Sequence, residues 1–172
     1  MNNTTNVAEQ VVSEPAAQYL TFVLETEEYA IDILCVQEIK SWTPVTPVPR
    51  APDHLLGVIN LRGSIVPVID LRRRVHLEEA DFTDKTAVII VRSGEDETDK
   101  VVGLVVDAVA EVYHFSPGQI QSTANIGKTV DVDFILGLAR TEEKLVIVLN
   151  LEKIVDTNFE PDDPVEADSD EQ

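Results

Sequence analysis

The side chains that most often hold metals or act as nucleophiles are few in this chain, and they stand apart from one another. His54, His76 and His114 have no histidine or cysteine two to four residues further on, so the spacing typical of a metal site is missing. Cys35 is the single cysteine, and its apolar neighbours predict a small core residue with a raised thiol pKa. The sequence therefore predicts neither a metal site nor a cofactor.

Motifs for covalent catalysis and phosphate binding are also missing. Ser64 and Ser116 lack the G-x-S-x-G context of a hydrolase nucleophile, and the seven glycines stand singly, with no phosphate-binding loop. Asp32, Asp70 and Asp107 each adjoin a predicted strand end, where an aspartate more often caps a helix or forms a turn. We therefore expect a protein that is not an enzyme.

The most informative pattern is an Arg-Gly corner between two apolar, β-branched runs. Residues 57–61 precede the corner and residues 64–69 follow it, which predicts a β-hairpin. Gly63 can supply the positive φ that such a corner needs, and this places Arg62 at the tip. Pro67 cannot donate a ladder hydrogen bond, so we expect its strand to lie at a sheet edge or at a bulge. An edge strand would offer a surface on which a strand of a partner protein can pair.

The elements that must position this hairpin are mostly strands. Alternating or continuous apolar runs predict further strands at residues 19–24, 29–32, 87–91, 101–106, 107–112, 134–139 and 145–149. Apolar residues at helical spacing predict a short helix at 33–38, and a last helical turn or two is expected at 151–155. About nine strands with only short helices indicate an all-β barrel or sandwich.

Composition limits the class of protein. The 172 residues suit one domain, and 44% hydrophobic with only 5% aromatic residues predict a core of valine, isoleucine and leucine. The formal charge of −19 argues against binding to nucleic acid or to an anionic membrane surface. One cysteine, no signal peptide and no apolar span predict a cytoplasmic protein that does not insert into a membrane.

The two ends of the chain differ from its middle. The first 17 residues hold two acidic and no basic residues, and residues 156–172 hold eight acidic and no basic ones. Such segments cannot bury enough apolar surface to offset the entropy of ordering. We predict a disordered arm at 1–17, an ordered body at 18–155 and a disordered, solvating acidic tail at 156–172.

The basic triplet at residues 72–74 has two interpretations. It lacks the aromatic neighbours of a single-strand-binding site, so nucleic acid is not favoured. The simpler interpretation is a solvated helix that balances Glu78 and Glu79, and the alternative is a docking surface for an acidic partner.

Two segments resemble one known family. The run N-L-R-G-S-I-V-P-V-I-D-L at 60–71 and the run D-I-L-C-V-Q-E-I at 32–39 resemble the signature of the chemotaxis coupling proteins, the CheW-like family of bacterial adaptors. The resemblance covers residues 18–155 and implies two interlocked, SH3-like, five-stranded β-barrels. It also implies recruitment to receptor clusters at the inner membrane, where the adaptor joins a chemoreceptor to the chemotaxis histidine kinase.

The resemblance implies a receptor site around the hairpin corner. In the family an acidic residue corresponding to Glu38 lies beside the corner arginine, here Arg62, and the two would recognise the cytoplasmic tip of a chemoreceptor. Val36 and Ile39 would add an exposed apolar patch. A plain surface ion pair, worth about 0 to 1 kcal/mol, is the alternative interpretation.

The same motif implies a surface for the regulatory domain of the kinase. Gly57, Gly63 and Ile65 belong to the matching run and are the candidates for it. Ile65 fits that role only if it faces outward, and a register error of one residue would bury it.

Three other functions remain open. A coupling domain fused to a receiver is the first, although no second domain follows in this sequence. A small-molecule-binding β-barrel is the second, and the low aromatic content weakens it. The third is an acid–base hydrolase with two carboxylates, whose separation the sequence cannot give.

Overall fold

The computed structural model describes residues 16–94, 99–122 and 132–156, which form eleven strands and only short helices. The strands are β1 (Ala17–Leu24), β2 (Glu27–Asp32), β3 (Val36–Ser41), β4 (Leu55–Leu61), β5 (Ser64–Asp70), β6 (Ala87–Ser93), β7 (Lys100–Val106), β8 (Ala108–Phe115), β9 (Ile120–Gln121), β10 (Ile135–Arg140) and β11 (Leu145–Leu149). The helices are α1 (Leu71–Arg74) and α2 (Leu151–Val155), with 3-10 turns at Ile33–Cys35, Pro117–Gln119 and Val132–Phe134. The prediction of an all-β fold with short helices is confirmed.

The predicted arm and acidic tail lie almost wholly outside the described residues, and their disorder stays a prediction. The described part of the chain starts one residue before β1 and ends one residue after α2.

The strands form two sheets that share the chain in an interlocked order. The six-stranded sheet has the order β8-β1-β2-β11-β10-β9, and the five-stranded sheet has the order β3-β6-β7-β5-β4. The chain leaves the six-stranded sheet after β2, builds the whole five-stranded sheet and returns at β8. Neighbouring strands are antiparallel except for β2 with β11 and β5 with β7.

The five-stranded sheet closes into a barrel. Its first and last strands, β3 and β4, stand at opposite ends of the hydrogen-bonding order. Thr46, in the loop after β3, nevertheless pairs with Val58 of β4 through N–H to O distances of 3.0 and 2.8 Å. The two ends of the sheet therefore meet, and β3 lies close to the hairpin formed by β4 and β5.

Alternation along the strands divides the core into three parts. In β6, for example, Val88 and Ile90 face the inside of the five-stranded barrel, whereas Ile89 and Val91 face a large core that both sheets share. In β11, Val146 and Val148 fill the six-stranded sheet, and Leu149 joins the shared core. Because side chains alternate along a strand, each sheet fills its own interior and also packs on the other.

The predicted helix at 33–38 is wrong beyond its first turn. Only Ile33–Cys35 is helical, as a 3-10 turn in which Asp32 Oδ1 accepts a hydrogen bond of 2.9 Å from the Leu34 N–H. The chain then continues as β3, which bulges between Val36 and Glu38. The extra residue in the bulge produced the helical spacing of apolar residues in the sequence.

Of the two positions predicted for Pro67, an edge or a bulge, the edge is wrong, because β5 lies between β7 and β4. A bulge lies close by, since the β4–β5 ladder shifts register between the partners of Ile69 and Val68. The ladder between β5 and β7 covers Val68, Ile69 and Asp70, so it begins one residue after the proline. The missing N–H of Pro67 thus precedes that ladder and costs it no hydrogen bond.

The basic triplet at α1 is anchored rather than solvated. Arg73 pairs with Glu79 at 3.2 Å, as the charge-balance interpretation predicts. Arg74 instead donates to the carbonyl oxygens of Lys153, Ile154 and Asp156 at 2.7 to 3.0 Å and so caps the end of α2. Arg72 is largely buried and reaches the six-stranded sheet. The simple solvated-helix interpretation is therefore wrong for these two arginines.

Candidate functional site

The tip of the β4–β5 hairpin is a two-residue turn in which both residues have positive φ. Arg62 has φ 53° and Gly63 has φ 92°, a combination that matches the right-handed twist of hairpin strands. The Gly63 N–H donates to Asn60 Oδ1 at 2.8 Å, which fixes the turn from within. The prediction that Gly63 supplies a positive φ is confirmed, and the left-handed conformation of Arg62 is an additional feature that costs about 1–2 kcal/mol.

Arg62 and Glu38 lie side by side, as the family resemblance implies. Arg62 Nη2 donates to Glu38 Oε1 at 2.6 Å, and Lys40 Nζ lies 3.9 Å from the other carboxylate oxygen of Glu38. The Arg62 side chain is 73% exposed and that of Glu38 is 24% exposed. The carboxylate is thus held by two cations while most of the guanidinium surface stays open to a partner.

Val36 and Ile39 lie on the same strand as Glu38 but on its other face. The bulge in β3 sets Val36 opposite Val91 and Ile39 opposite Ile89, and both of these partners face the shared core. Ile39 is 46% exposed, whereas Val36 is half-buried and packs on the core. The four receptor-site residues therefore share an edge strand and its neighbouring turn, and they do not form one flat patch.

The three predicted kinase-site residues occupy different environments. Ile65, paired with Asn60, faces outward and is 49% exposed. Gly63 stands at the open tip, where an added Cβ would meet nothing within 4 Å. Gly57 is buried, and an added Cβ would come well within 3.0 Å of the Thr46 carbonyl oxygen. Its role in packing is clear from this contact, and its role at a kinase surface stays a prediction.

An exposed apolar pair escaped the sequence reasoning. Leu34 is 88% exposed and Leu136 is 57% exposed, and both line a cleft of about 540 Å³ between the two sheets. Cys35 lines the same cleft and packs partly on the shared core, which largely agrees with the prediction of a core residue. Burial, with a smaller effect of Asp32, raises the pKa of its thiol. Leu34 lies in an apolar run, and the capped 3-10 turn leaves its side chain exposed.

The groups with potential for acid–base chemistry lie in several separate places of the described part of the chain. The described residues hold no group of three or more His, Cys, Asp and Glu that could bind a metal ion. His54 and His76 line one cleft, and burial lowers the pKa of His54. His114 lies elsewhere, with its Nε2 atom 3.1 Å from the side-chain nitrogen of Gln18.

The three aspartates at predicted strand ends have structural roles, of which two are local and one is long-range. Asp32 and Asp70 cap the 3-10 turn and α1, as predicted, and burial raises the pKa of Asp70. Asp107 joins β7 to β8 and accepts hydrogen bonds from Arg72 and from the Glu25 N–H. No helix among residues 16–94, 99–122 and 132–156 is long and apolar enough to cross a membrane.

Comparison with known proteins gives a consistent result across sequence and structure. A family model described as "CheW-like domain" matches residues 18–159. A protein named "Chemotaxis protein CheW" from Klebsiella aerogenes is 38% identical over 138 residues, which is 80% of this chain and 81% of that protein. A protein of the same name from Rhizobium meliloti is 32% identical over 150 residues, which is 87% of this chain and 94% of that protein. Another from Bacillus subtilis is 34% identical over 138 residues, which is 80% of this chain and 85% of that protein.

The fold has a close counterpart among solved structures. The scaffolding protein TtCheW from Thermoanaerobacter tengcongensis superimposes with a TM-score of 0.74 at 33% identity, over 83% of this chain and 94% of that one. The match extends across both sheets because it covers most of the two chains.

Proposed function

This chain belongs to the CheW-like family and is a chemotaxis adaptor, and from this premise we propose that it couples chemoreceptors to the chemotaxis histidine kinase by binding both, without catalysis. The relatives it resembles are named chemotaxis proteins, and the solved structure is named a scaffolding protein. The match covers the ordered body, so the adaptor role concerns the whole fold rather than a grafted motif.

The receptor site is centred on Arg62 and Glu38. The observation that carries this assignment is an ion pair of 2.6 Å at an exposed strand edge, with the arginine 73% exposed. The chemoreceptor tip that adaptors of this family bind is a helical bundle. A helix of that bundle can place acidic or amide groups on the free donors of the Arg62 guanidinium. Ile39, 46% exposed on the other face of β3, gives an apolar contact for the same partner.

The kinase site is centred on the outer face of the β4–β5 hairpin. Ile65 supplies an exposed apolar side chain there, and Gly63 keeps the tip free of bulk. The regulatory domain of the kinase would pack its own barrel against this face, with the energy concentrated in a small apolar centre. Gly57 contributes indirectly, since it lets the loop at Thr46 close the barrel that carries the hairpin.

Coupling between the two partners needs a difference in binding free energy. The adaptor can change kinase activity only if the pose or affinity of one partner depends on the state of the other. Arg62 connects the two proposed sites, because it belongs to the receptor site through its contact with Glu38 and also to the hairpin that carries the kinase site. Binding at the receptor site can therefore shift the hairpin that the kinase contacts.

Co-sedimentation tests this function directly. We expect the protein to sediment with receptor-containing membranes both with and without the kinase, and to raise the amount of kinase in the pellet. A small-molecule-binding barrel would show neither effect. The interiors of both sheets are filled by apolar side chains such as Val88, Ile90, Val146 and Val148, which does not favour that alternative. Failure to sediment with receptors in both conditions would overturn the proposal.

A further inference from the structure

The two sheets are joined by few covalent crossings, and one of them is a single residue. Asp107 is the only residue between β7 of the five-stranded sheet and β8 of the six-stranded sheet. Its own N–H donates to the Val23 carbonyl oxygen at 3.1 Å, and its Oδ2 accepts from the Glu25 N–H at 2.8 Å. Asp107 is therefore already fixed to the β1–β2 hairpin of the six-stranded sheet.

Arg72 holds the same carboxylate from the other sheet. It lies in α1, directly after β5, and its Nε donates to both oxygens of Asp107 at 2.9 and 3.2 Å, with Nη2 donating to Oδ2 as well. Its Nη1 lies 3.7 Å from Glu25 Oε2 and donates to the Glu78 carbonyl oxygen at 2.9 Å. One guanidinium thus contacts a strand crossing, a hairpin turn of the six-stranded sheet and a loop of the five-stranded sheet.

The surroundings make this contact stronger than an ordinary surface ion pair. The Arg72 side chain is 13% exposed and that of Asp107 is 28% exposed, against 73% for Arg62. A forked, charge-assisted contact fixes orientation as well as distance, because two parallel hydrogen bonds resist rotation. The hydrogen bonds that Arg72 donates to Asp107 raise the pKa of its guanidinium, and burial acts in the opposite direction.

We propose that Arg72 is a positioning residue that fixes the orientation of the two sheets relative to each other. A fork that joins α1 to the β7–β8 crossing and to the β1–β2 turn restricts motion between the sheets, beside the core that they share. Both proposed partner sites lie on the five-stranded sheet, so this role concerns the shape of the whole fold rather than either site.

The test measures distances between the sheets in the full chain. Spin labels are placed on cysteines at exposed Glu143, in the β10–β11 turn of the six-stranded sheet, and at exposed Lys85, just before β6 of the five-stranded sheet, in a Cys35→Ala background. We expect Arg72→Gln to widen the distance distribution about twofold or more, with Arg72→Lys intermediate because a lysine cannot form the fork. Arg73→Gln is the matched control: its partners Asp70, Glu79 and Asp53 all belong to the segment of the five-stranded sheet.

Binding is measured beside the distances. For Arg72→Gln we expect affinity for a receptor-tip fragment and for the kinase regulatory domain to stay within about twofold, because both proposed sites lie on the five-stranded sheet. A distance distribution equal to that of wild type in both Arg72 variants would overturn the proposal. If Arg72→Gln does not fold, Asp107→Asn and Arg72→Lys give the same comparison. A wild-type protein that binds neither partner would overturn the proposed function, whereas the label distances would still decide the role of Arg72.

Discussion

Arg62 and Glu38 are in contact at 2.6 Å, although β3, which holds Glu38, and β4, which precedes Arg62, stand at opposite ends of the five-stranded sheet. Barrel closure brings them together, since Thr46 pairs with Val58 and carries the end of β3 against the β4–β5 hairpin. The ion pair therefore depends on closure of the barrel, and it also forms the centre of the proposed receptor site.

The first prediction concerns this pair. Glu38→Arg and Arg62→Glu should each weaken binding to a receptor-tip fragment by about tenfold, because reversal of one charge places like charges side by side at the contact. Thermal melting should stay close to that of wild type, since exposed pairs contribute about 0 to 1 kcal/mol to stability.

The double swap separates two ways in which the pair could act. If Arg62 and Glu38 serve as one unit, the swap should recover part of the affinity; if each contacts the receptor independently, the losses should add. Lys85→Glu, which reverses an exposed charge outside the proposed site, is the control. Unchanged affinity in both single variants would rule out a role for the pair.

The second prediction concerns Gly57. Gly57→Ala should lower the free energy of unfolding by roughly 2–3 kcal/mol, because the new methyl group would overlap the Thr46 carbonyl and open the barrel closure. Gly63→Ala should cost about 1 kcal/mol, from its positive φ alone. Gly118→Ala, with open space around it, should change stability by less than about 0.5 kcal/mol. Urea denaturation of the three variants measures these values, and a Gly57→Ala protein as stable as Gly118→Ala would contradict the packing role.

More of the fold than of the candidate site could be predicted from the sequence. Nine of the eleven described strands follow from apolar alternation, and those missed are β3 and the two-residue β9. The pattern in β3 is ambiguous for a physical reason: a bulge moves Val36 and Ile39 to one face, and the same spacing marks a helix. The residues of one strand also cannot show where that strand lies in its sheet. For this reason the expectation of an edge position for Pro67 is wrong.

Long-range partners are the part of the site that the sequence alone does not give. The family resemblance placed Glu38 beside Arg62, but nothing in the composition of residues 72–74 indicated that Arg72 reaches Asp107, 35 residues further on. The exposure of Leu34 is a second example: this leucine lies in an apolar run, yet it is 88% exposed, because exposure depends on the direction of the turn as well as on hydrophobicity. These contacts arise from the order in which the two sheets share the chain.

The third prediction concerns pH. Burial and the nearby Arg74 lower the pKa of His54 in the folded state below its ordinary value of 6.5, while Asp53 acts in the opposite direction. The unfolded state therefore binds the proton more readily, and the contribution of His54 to stability is complete above pH 6.5 and declines as the pH falls through that value. Urea denaturation at pH 7.5 and 5.5 should show a smaller loss for His54→Gln than for wild type. His114→Gln, at an exposed position, should follow wild type, and equal losses in all three proteins would refute the assignment.

The last prediction concerns Ile65 and the proposed kinase surface. The side chain is 49% exposed on the outer face of β5, so Ile65→Asp places its charge in water and should leave the fold intact. Binding to the kinase regulatory domain should nevertheless fall by about tenfold or more, because an apolar residue at the centre of an interface carries much of its energy. Val112→Asp, which alters a residue 42% exposed on the six-stranded sheet, is the matched control and should bind the kinase as wild type does. Circular dichroism beside a kinase pull-down decides the matter: a folded Ile65→Asp protein with undiminished kinase binding would remove this hairpin face from the interface, because the introduced charge could not be accommodated at a packed apolar contact without loss of affinity.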